Sequence, residues 1–222
     1  MGKGGTMTKQ FTTPACVWQA PPMVWNSWDC YGASVTEAEL LANARFLQEH
    51  LLPSGWDTVV CDIQWSEPAA DSWDYHPFAP LTLDEYGRQL PAPGRFPSGF
   101  KAIAREIHGM GLQFGVHLMR GIPRQAAHAG LPVLGTDYTA ADVASRTSIC
   151  FWNTDMYGVN PDHPAAQAYY DSVFALFAAW GVDYVKVDDI AWNYYAADHY
   201  CGGEVALIHR ANRIVNFAQP DL

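Results

Sequence analysis

The sequence has 222 residues, of which 49% are hydrophobic and 16% are charged. This composition can bury a substantial core and excludes a disordered chain. The formal net charge is −10, with only 13 Lys and Arg residues. A general nucleic-acid or anionic-membrane binder is excluded on this ground, because no basic stripe is available to neutralise phosphates.

The composition also bears on compartment and on ligand class. No apolar stretch is long enough to span a bilayer, and the start, MGKGGTMTKQ, lacks the apolar core of a signal peptide. The five cysteines are scattered without a CxxC pair, which predicts reduced thiols in a cytoplasmic enzyme rather than a zinc site. Aromatic residues reach 14%, which suits a sugar-binding cleft and an aromatic core equally well.

Extended and helical patterns alternate from the start of the chain. The segment Pro22–Asp29 predicts a strand that runs into a loop. Thr36, with Glu39 three residues later, predicts the capped start of a helix. This helix is expected to end near Gly55, and Trp56–Trp65 predicts the second strand.

Two long connections flank the next strand–helix unit. Residues 66–99 are polar and Pro-rich and too long for an ordinary connection, so we expect a functional loop or a small excursion. A helix from Phe100 to Gly111 and a third strand over residues 112–121 follow. Residues 122–162 are then predicted to form a second long loop.

The last units complete a repeated strand–helix order. A helix is predicted from Pro164 to Gly181, a fourth strand over residues 182–188, and a fourth helix over Glu204–Phe217. Strand–helix units in series favour parallel pairing with right-handed crossovers. Long loops after strands are typical of a (β/α) barrel, whose active site lies at the C-terminal ends of the strands. A doubly wound sheet is the competing architecture, but the sequence has no GxGxxG-type phosphate turn after a strand.

Polar side chains are placed on one face of three predicted strands. In the fourth strand Tyr184, Lys186 and Asp188 share a face, because side chains alternate along a strand. Asp62 in the second strand and His117 in the third occupy the corresponding face. Three strands therefore deliver polar residues to one end of the same interior, and this predicts a site.

The chemistry of that site has two interpretations. A lysine beside a carboxylate keeps the carboxylate ionised, and an ionised aspartate in a pocket can act as the nucleophile of a retaining glycosidase. The alternative is that Lys186 and Asp188 form a structural ion pair at a barrel rim. Taken alone, His117, Trp28 and Trp65 are more typical of a core than of a sugar site.

Several stretches, in order, resemble the N-terminal half of the catalytic barrel of glycoside hydrolase family 27, the α-galactosidase (melibiase) family. They run from about Pro22 to about Arg210 and read VWNSWDCYG, GWDTVVCDIQW, RFPSGFKAIAREIHGMGLQFGVHLMRGIPRQA, DMYGVNPDHPAAQAYYDS and WGVDYVKVDD. The resemblance implies an α/β protein of the (β/α)8 TIM barrel class, in which this chain covers about the first four β/α units. Residues 1–21 would be an N-terminal extension and residues 22–222 a partial catalytic barrel, truncated before the later strands.

The resemblance also implies roles for particular residues. Asp188, in the family's Lys-x-Asp motif, would be the nucleophile that forms the glycosyl-enzyme intermediate. Lys186 would contact the sugar hydroxyls and keep Asp188 ionised, and Trp28 would wall the sugar pocket. Asp62 would accept hydrogen bonds from the region of the axial 4-hydroxyl, and His117 stands where the family often has a tyrosine. No metal or nucleotide cofactor is implied, and the expected partner is a small-molecule or oligosaccharide galactoside or arabinoside.

Two departures from the family pattern leave the substrate and the catalytic activity open. Where typical α-galactosidases have Asp-Asp-Cys-Trp, this chain has Asp62-Ile63-Gln64-Trp65, and Ile63 cannot hold the 6-hydroxyl of galactose. The expected substrate is therefore a terminal α-D-galactoside or a β-L-arabinopyranoside, which lacks that group. The second departure is that the family's acid/base aspartate has no counterpart, so an inactive or carbohydrate-binding half-barrel is the alternative to a retaining exo-glycosidase.

Overall fold

The computed structural model describes residues 22–190 and 202–217. The N-terminal extension expected for residues 1–21 lies outside the described residues, as do Cys16 and Cys201. The strands are β1 (Met23–Asn26), β2 (Trp56–Cys61), β3 (Gln113–Met119), β4 (Ile122–Pro123), β5 (Ala144–Ser145), β6 (Met156–Val159) and β7 (Tyr184–Asp188). Four of them form one parallel sheet in the order β1-β2-β3-β7. The expected α/β class with parallel pairing is confirmed.

The helices are α1 (Trp28–Tyr31), α2 (Glu37–Phe46), α3 (Phe100–Gly109), α4 (Arg124–Ala129), α5 (Ala140–Val143), α6 (Ala166–Trp180) and α7 (Gly202–Phe217). A π-helical turn, Leu47–Leu51, and a 3-10 turn, Leu52–Ser54, continue α2. The capping box predicted at its start is present, because the Glu39 carboxylate accepts from the Thr36 N–H at 2.8 Å. Among the described helices, none combines the length and the apolar character needed to cross a bilayer.

The interior face of the sheet is set by its register. His117 on β3 lies opposite Lys186 on β7, and two residues later Met119 lies opposite Asp188. One layer deeper, Gly115 lies between its neighbours on β2 and β7, and a Cβ there would come within 2.7 Å of Val60 Cγ2. The glycine therefore allows the interior layer below the polar residues to close.

The outer face of the sheet packs on helices through an aromatic core. Phe100 on α3 and Phe177 on α6 are both 1% exposed, and their rings pack on Trp65, which is itself 2% exposed. The indole N–H of Trp65 donates to the backbone carbonyl of His117 at 2.8 Å. Trp65 is thus a core residue, and it ties the connection after β2 to the strand that carries His117.

The two long connections differ in content. Residues 66–99 contain no helix or strand, and one isolated bridge joins Leu83 to Gln89. The stretch 122–162, predicted as a loop, instead folds into α4, α5 and a small antiparallel sheet in the order β4-β6-β5. Its strands have only two to four residues, which is too short for an alternation of polar and apolar residues to show in the sequence.

Candidate active site

Four of the predicted residues meet at the C-terminal end of the parallel sheet. Lys186 Nζ lies 2.8 Å from Asp62 Oδ2 and 3.3 Å from Asp188 Oδ2. His117 Nε2 lies 2.9 Å from the same Oδ2 atom of Asp188. Residues from β3, β7 and the end of β2 therefore form one connected polar cluster.

Asp62 is the buried member of the cluster. It is 2% exposed, and its backbone N–H donates to the Ser27 hydroxyl at 2.9 Å. Its Oδ1 accepts from the Ile63 N–H at 2.7 Å, which leaves Oδ2 to face Lys186. The loops after β1 and β2 thus fix both the backbone and the side chain of Asp62.

The cluster keeps its carboxylates ionised. Burial would raise the pKa of Asp188, but the hydrogen bond and charge of His117 and the charge of Lys186 outweigh it and lower that pKa to about 2. Burial also opposes ionisation of Asp62, yet His117 and Lys186 hold its pKa below the usual value. For Lys186, burial would lower the pKa, and the two carboxylates reverse this and raise it. Because ionised Asp188 can only accept, the Nε2 atom of His117 carries the proton of their hydrogen bond.

The same atoms also have the spacing of a metal site. One ligand atom each from Asp62, His117 and Asp188 lies within 4.8 Å of the others. However, the Lys186 ammonium already contacts both carboxylates. It therefore already supplies the positive charge that a metal ion would bring to them. The side chain of Asp188 is still 35% exposed. A supported, ionised and accessible carboxylate fits a nucleophile better than a metal ligand.

Aromatic rings stand beside this cluster. Trp28, at the start of α1, stacks on Tyr75 with ring centres 5.7 Å apart and planes 21° apart. Trp73 meets Trp28 edge-on at 5.5 Å, and Trp152 lies 5.7 Å from Tyr75. The sequence interpretation identified Trp28 and missed the other three. Their signal was the high aromatic content of the long connections after β2 and β3, where barrel enzymes place their sites.

Ile63 lies on the apolar side of the site. It is 3% exposed and belongs to a buried cluster with Met119 and Met156, against which Trp28 and Tyr75 pack. The chain therefore presents a carboxylate at position 62 and an apolar wall at position 63.

Asp189, directly after β7, has φ +61° and pairs with Arg120 instead of joining the cluster. Its Oδ2 lies 2.5 Å from Arg120 Nη2, and both side chains are at most 5% exposed. Arg120 also donates from its backbone N–H to the Asp188 carbonyl at 3.2 Å and from Nη1 to Glu204 Oε2 at 3.0 Å. This buried ion-pair group lies behind the nucleophile candidate and supports its strand.

Comparison with known proteins finds glycoside hydrolases that are similar to this chain. No family model matches the chain. A GH27 β-L-arabinopyranosidase from Geobacillus stearothermophilus is 55% identical, and the match covers 88% of this chain and 46% of that chain with a TM-score of 0.84. The α-galactosidase mel1 of Schizosaccharomyces pombe is 29% identical over 171 residues, which are 76% of this chain and 28% of that protein. An α-galactosidase of Cyamopsis tetragonoloba is 26% identical over 77% of this chain and 30% of its own length.

These matches agree with the architecture. The chain spans less than half the length of the solved relative and less than a third of the two curated ones. Its parallel sheet is accordingly part of a (β/α)8 barrel, which confirms the expected incomplete barrel. With the family motifs, the fold and the solved relative in agreement, the chain belongs to glycoside hydrolase family 27.

Proposed function

We propose that this chain carries the nucleophile and the glycone-binding residues of a retaining exo-glycosidase. The observation that carries the proposal is the position of Asp188, whose side chain is 35% exposed and lies 2.9 Å from His117 Nε2 and 3.3 Å from Lys186 Nζ. These two neighbours lower the pKa of Asp188 to about 2. Such a carboxylate is ionised at neutral pH and is open to a ligand. It can attack the anomeric carbon and form a glycosyl ester while the leaving oxygen takes a proton from a general acid; water then cleaves the ester.

Asp62 is a poor choice for that general acid. Its low pKa and its ion pair with Lys186 oppose donation of a proton. We therefore assign Asp62 and Lys186 to the sugar hydroxyls, Trp28 to the wall of the pocket, and His117 to the support of the nucleophile.

The substrate that we propose first is a terminal β-L-arabinopyranoside. The solved relative at 55% identity is a β-L-arabinopyranosidase, and a variant of it is known in complex with arabinose. In this chain the buried Ile63 lies directly after Asp62 and offers no partner to a hydroxymethyl group. A hydroxyl left unpaired against such a wall costs about 1–3 kcal/mol. β-L-Arabinopyranose is α-D-galactopyranose without that group, so it fits the apolar edge.

A terminal α-D-galactoside is the second candidate. It is favoured by the curated relatives, which are α-galactosidases. The two sugars share the ring hydroxyls that Asp62 and Lys186 would contact, so one site can accept both.

The proposal is tested by replacing Asp188 with Asn in the protein as its gene encodes it. An amide preserves shape and volume but cannot form the covalent intermediate, so turnover of aryl glycosides should fall by on the order of a thousandfold or more. The measurement is kcat on p-nitrophenyl β-L-arabinopyranoside and p-nitrophenyl α-D-galactoside, with unfolding temperature as the check on folding.

The matched control is Asp137→Asn, which makes the same change at an exposed position and should leave turnover at the parent value. An Asp188→Asn protein that keeps a near-parent rate on either glycoside would show that the nucleophile lies elsewhere.

A further inference from the structure

One segment of the connection after β2 is fixed to the loop after β1. This segment, residues 72–79, forms a strap. At its first end the Ala33 N–H donates to the Ser72 carbonyl at 2.8 Å, and the Ser72 hydroxyl donates to the Tyr31 carbonyl at 3.0 Å. The approach is so close that a Cβ on Gly32, which has φ +58°, would lie 1.5 Å from the Ser72 oxygen. Only glycine fits there.

The other end of the strap is fixed to the segment before β6. The Phe78 N–H donates to the Thr154 hydroxyl at 3.0 Å, and the Ala79 N–H donates to Asp155 Oδ1 at 3.2 Å. Asp155 Oδ2 also accepts from Gln64 Nε2 at 2.9 Å, which joins this end to the residues after Asp62. The strap therefore runs from the β1 side of the site to the β6 side, with both ends anchored.

Tyr75 lies between the two anchors and faces the site. Its ring is held between Trp28, stacked at 5.7 Å, and Trp152, at 5.7 Å and 43°. It also packs against the buried cluster that contains Ile63 and Met119. These contacts fix the ring without using its hydroxyl.

The hydroxyl of Tyr75 is available to a ligand. Within residues 22–190 and 202–217 it makes no hydrogen bond to another side chain or to the backbone. Burial first, and then the negative charges of Asp62 and Asp188, raise the pKa of Tyr75, so the phenol lies within electrostatic range of both carboxylates. It stays protonated at neutral pH and can donate a hydrogen bond.

We infer that Tyr75 is a sugar-contacting residue, whose hydroxyl donates a hydrogen bond to a ring hydroxyl of the glycone bound at Asp62 and Asp188. The inference rests on the proposed function for the identity of the sugar, and on the anchored strap for the position of the ring. A donor that is held rigidly before the ligand arrives loses little conformational freedom on binding.

The test is Tyr75→Phe in the protein as its gene encodes it. The ring contacts are kept and only the donor is removed, so kcat/KM on the two p-nitrophenyl glycosides should fall about three- to thirtyfold. The affinity for free L-arabinose and D-galactose, measured by titration calorimetry, should fall by a similar factor. On the monodeoxy glycoside that lacks the contacted hydroxyl, variant and parent should differ by less than about twofold.

The control is Tyr138→Phe, which removes the hydroxyl of an exposed tyrosine and should match the parent in every assay. A Tyr75→Phe protein that equals an active parent, or that loses the same factor on every deoxy glycoside, overturns the inference and leaves the proposed function intact. If the parent turns over neither glycoside, the proposed function fails, and calorimetry alone then decides whether Tyr75 contacts a sugar. A parent that binds neither sugar overturns the inference as well.

Discussion

At the scale of single residues, the chemistry of the pocket is set by the change from a carboxylate at position 62 to an apolar side chain at position 63. Asp62 turns its carboxylate to Lys186 at 2.8 Å, whereas Ile63 packs into the apolar cluster with Met119. Under the proposed function, a carboxylate would face the ring hydroxyls, and a wall without hydrogen-bonding groups would face the next edge of the sugar. A substrate is selected by which of its edges finds a partner, since a buried hydroxyl without one is costly.

Replacing Ile63 with Asp should move the preference toward galactosides. The new carboxylate gives the 6-hydroxyl an acceptor, and one such contact supplies about tenfold to a hundredfold discrimination. The measurement is the ratio of kcat/KM for the α-D-galactoside to that for the β-L-arabinopyranoside. A ratio is needed because an apolar-to-charged change at a buried position also lowers the folded fraction, which affects both substrates equally.

Leu134→Asp, which places the same charge at an exposed site, is the control for the Ile63 variant and should keep the parent ratio. If the parent strongly prefers galactosides and Ile63→Asp leaves that preference unchanged, another residue contacts this edge of the sugar.

At the scale of elements, strand β7 is held in place from behind by a buried guanidinium. Arg120, in the connection after β3, binds Asp189 and Glu204, and all three side chains are at most 5% exposed. Glu204 at the start of α7 also accepts from the Tyr170 hydroxyl on α6 and from the Val159 N–H on β6. Helices α6 and α7 and the ends of strands β6 and β7 are therefore joined through the Arg120–Glu204 ion pair.

Arg120→Met should destabilise the protein markedly. The change leaves two buried carboxylates without their cation, and breaking a buried ion pair typically costs about 3–5 kcal/mol. Arg146→Met, at an exposed position, should stay within about 0.5 kcal/mol of the parent. Urea unfolding followed by tryptophan fluorescence measures both. Equal midpoints for the two variants would mean that the Arg120 group contributes nothing to stability.

The same elements show what the sequence can and cannot predict. The capping box at Thr36 and the glycine after α6, Gly181, are local signals, and both helix boundaries follow from them. Alternation along β7 likewise predicts that Lys186 and Asp188 share a face. The position of Tyr75 and the pairing of Arg120 have no such signal. Both depend on contacts between residues far apart in the chain, and no local pattern in the sequence encodes them.

At the scale of the whole molecule, the described sheet has two open edges. Within residues 22–190 and 202–217, β1 pairs only with β2 and β7 pairs only with β3. A closed barrel of this class has eight strands. The nucleophile candidate therefore lies on an edge strand of the described sheet.

A polypeptide limited to these 222 residues should self-associate and hydrolyse no glycoside at a useful rate. Retaining catalysis needs two carboxyl groups about 5–5.5 Å apart, one to attack and one to protonate the leaving oxygen. Of the neighbours of Asp188, Asp62 is held ionised by Lys186, and Asp189 is bound to Arg120 behind the strand. The backbone groups along β7 that no described residue pairs are in addition a template for pairing with another chain. Light scattering and assays with both p-nitrophenyl glycosides test this expectation. A stable monomer that cleaves either glycoside, and loses that activity in the Asp188→Asn variant, would refute it.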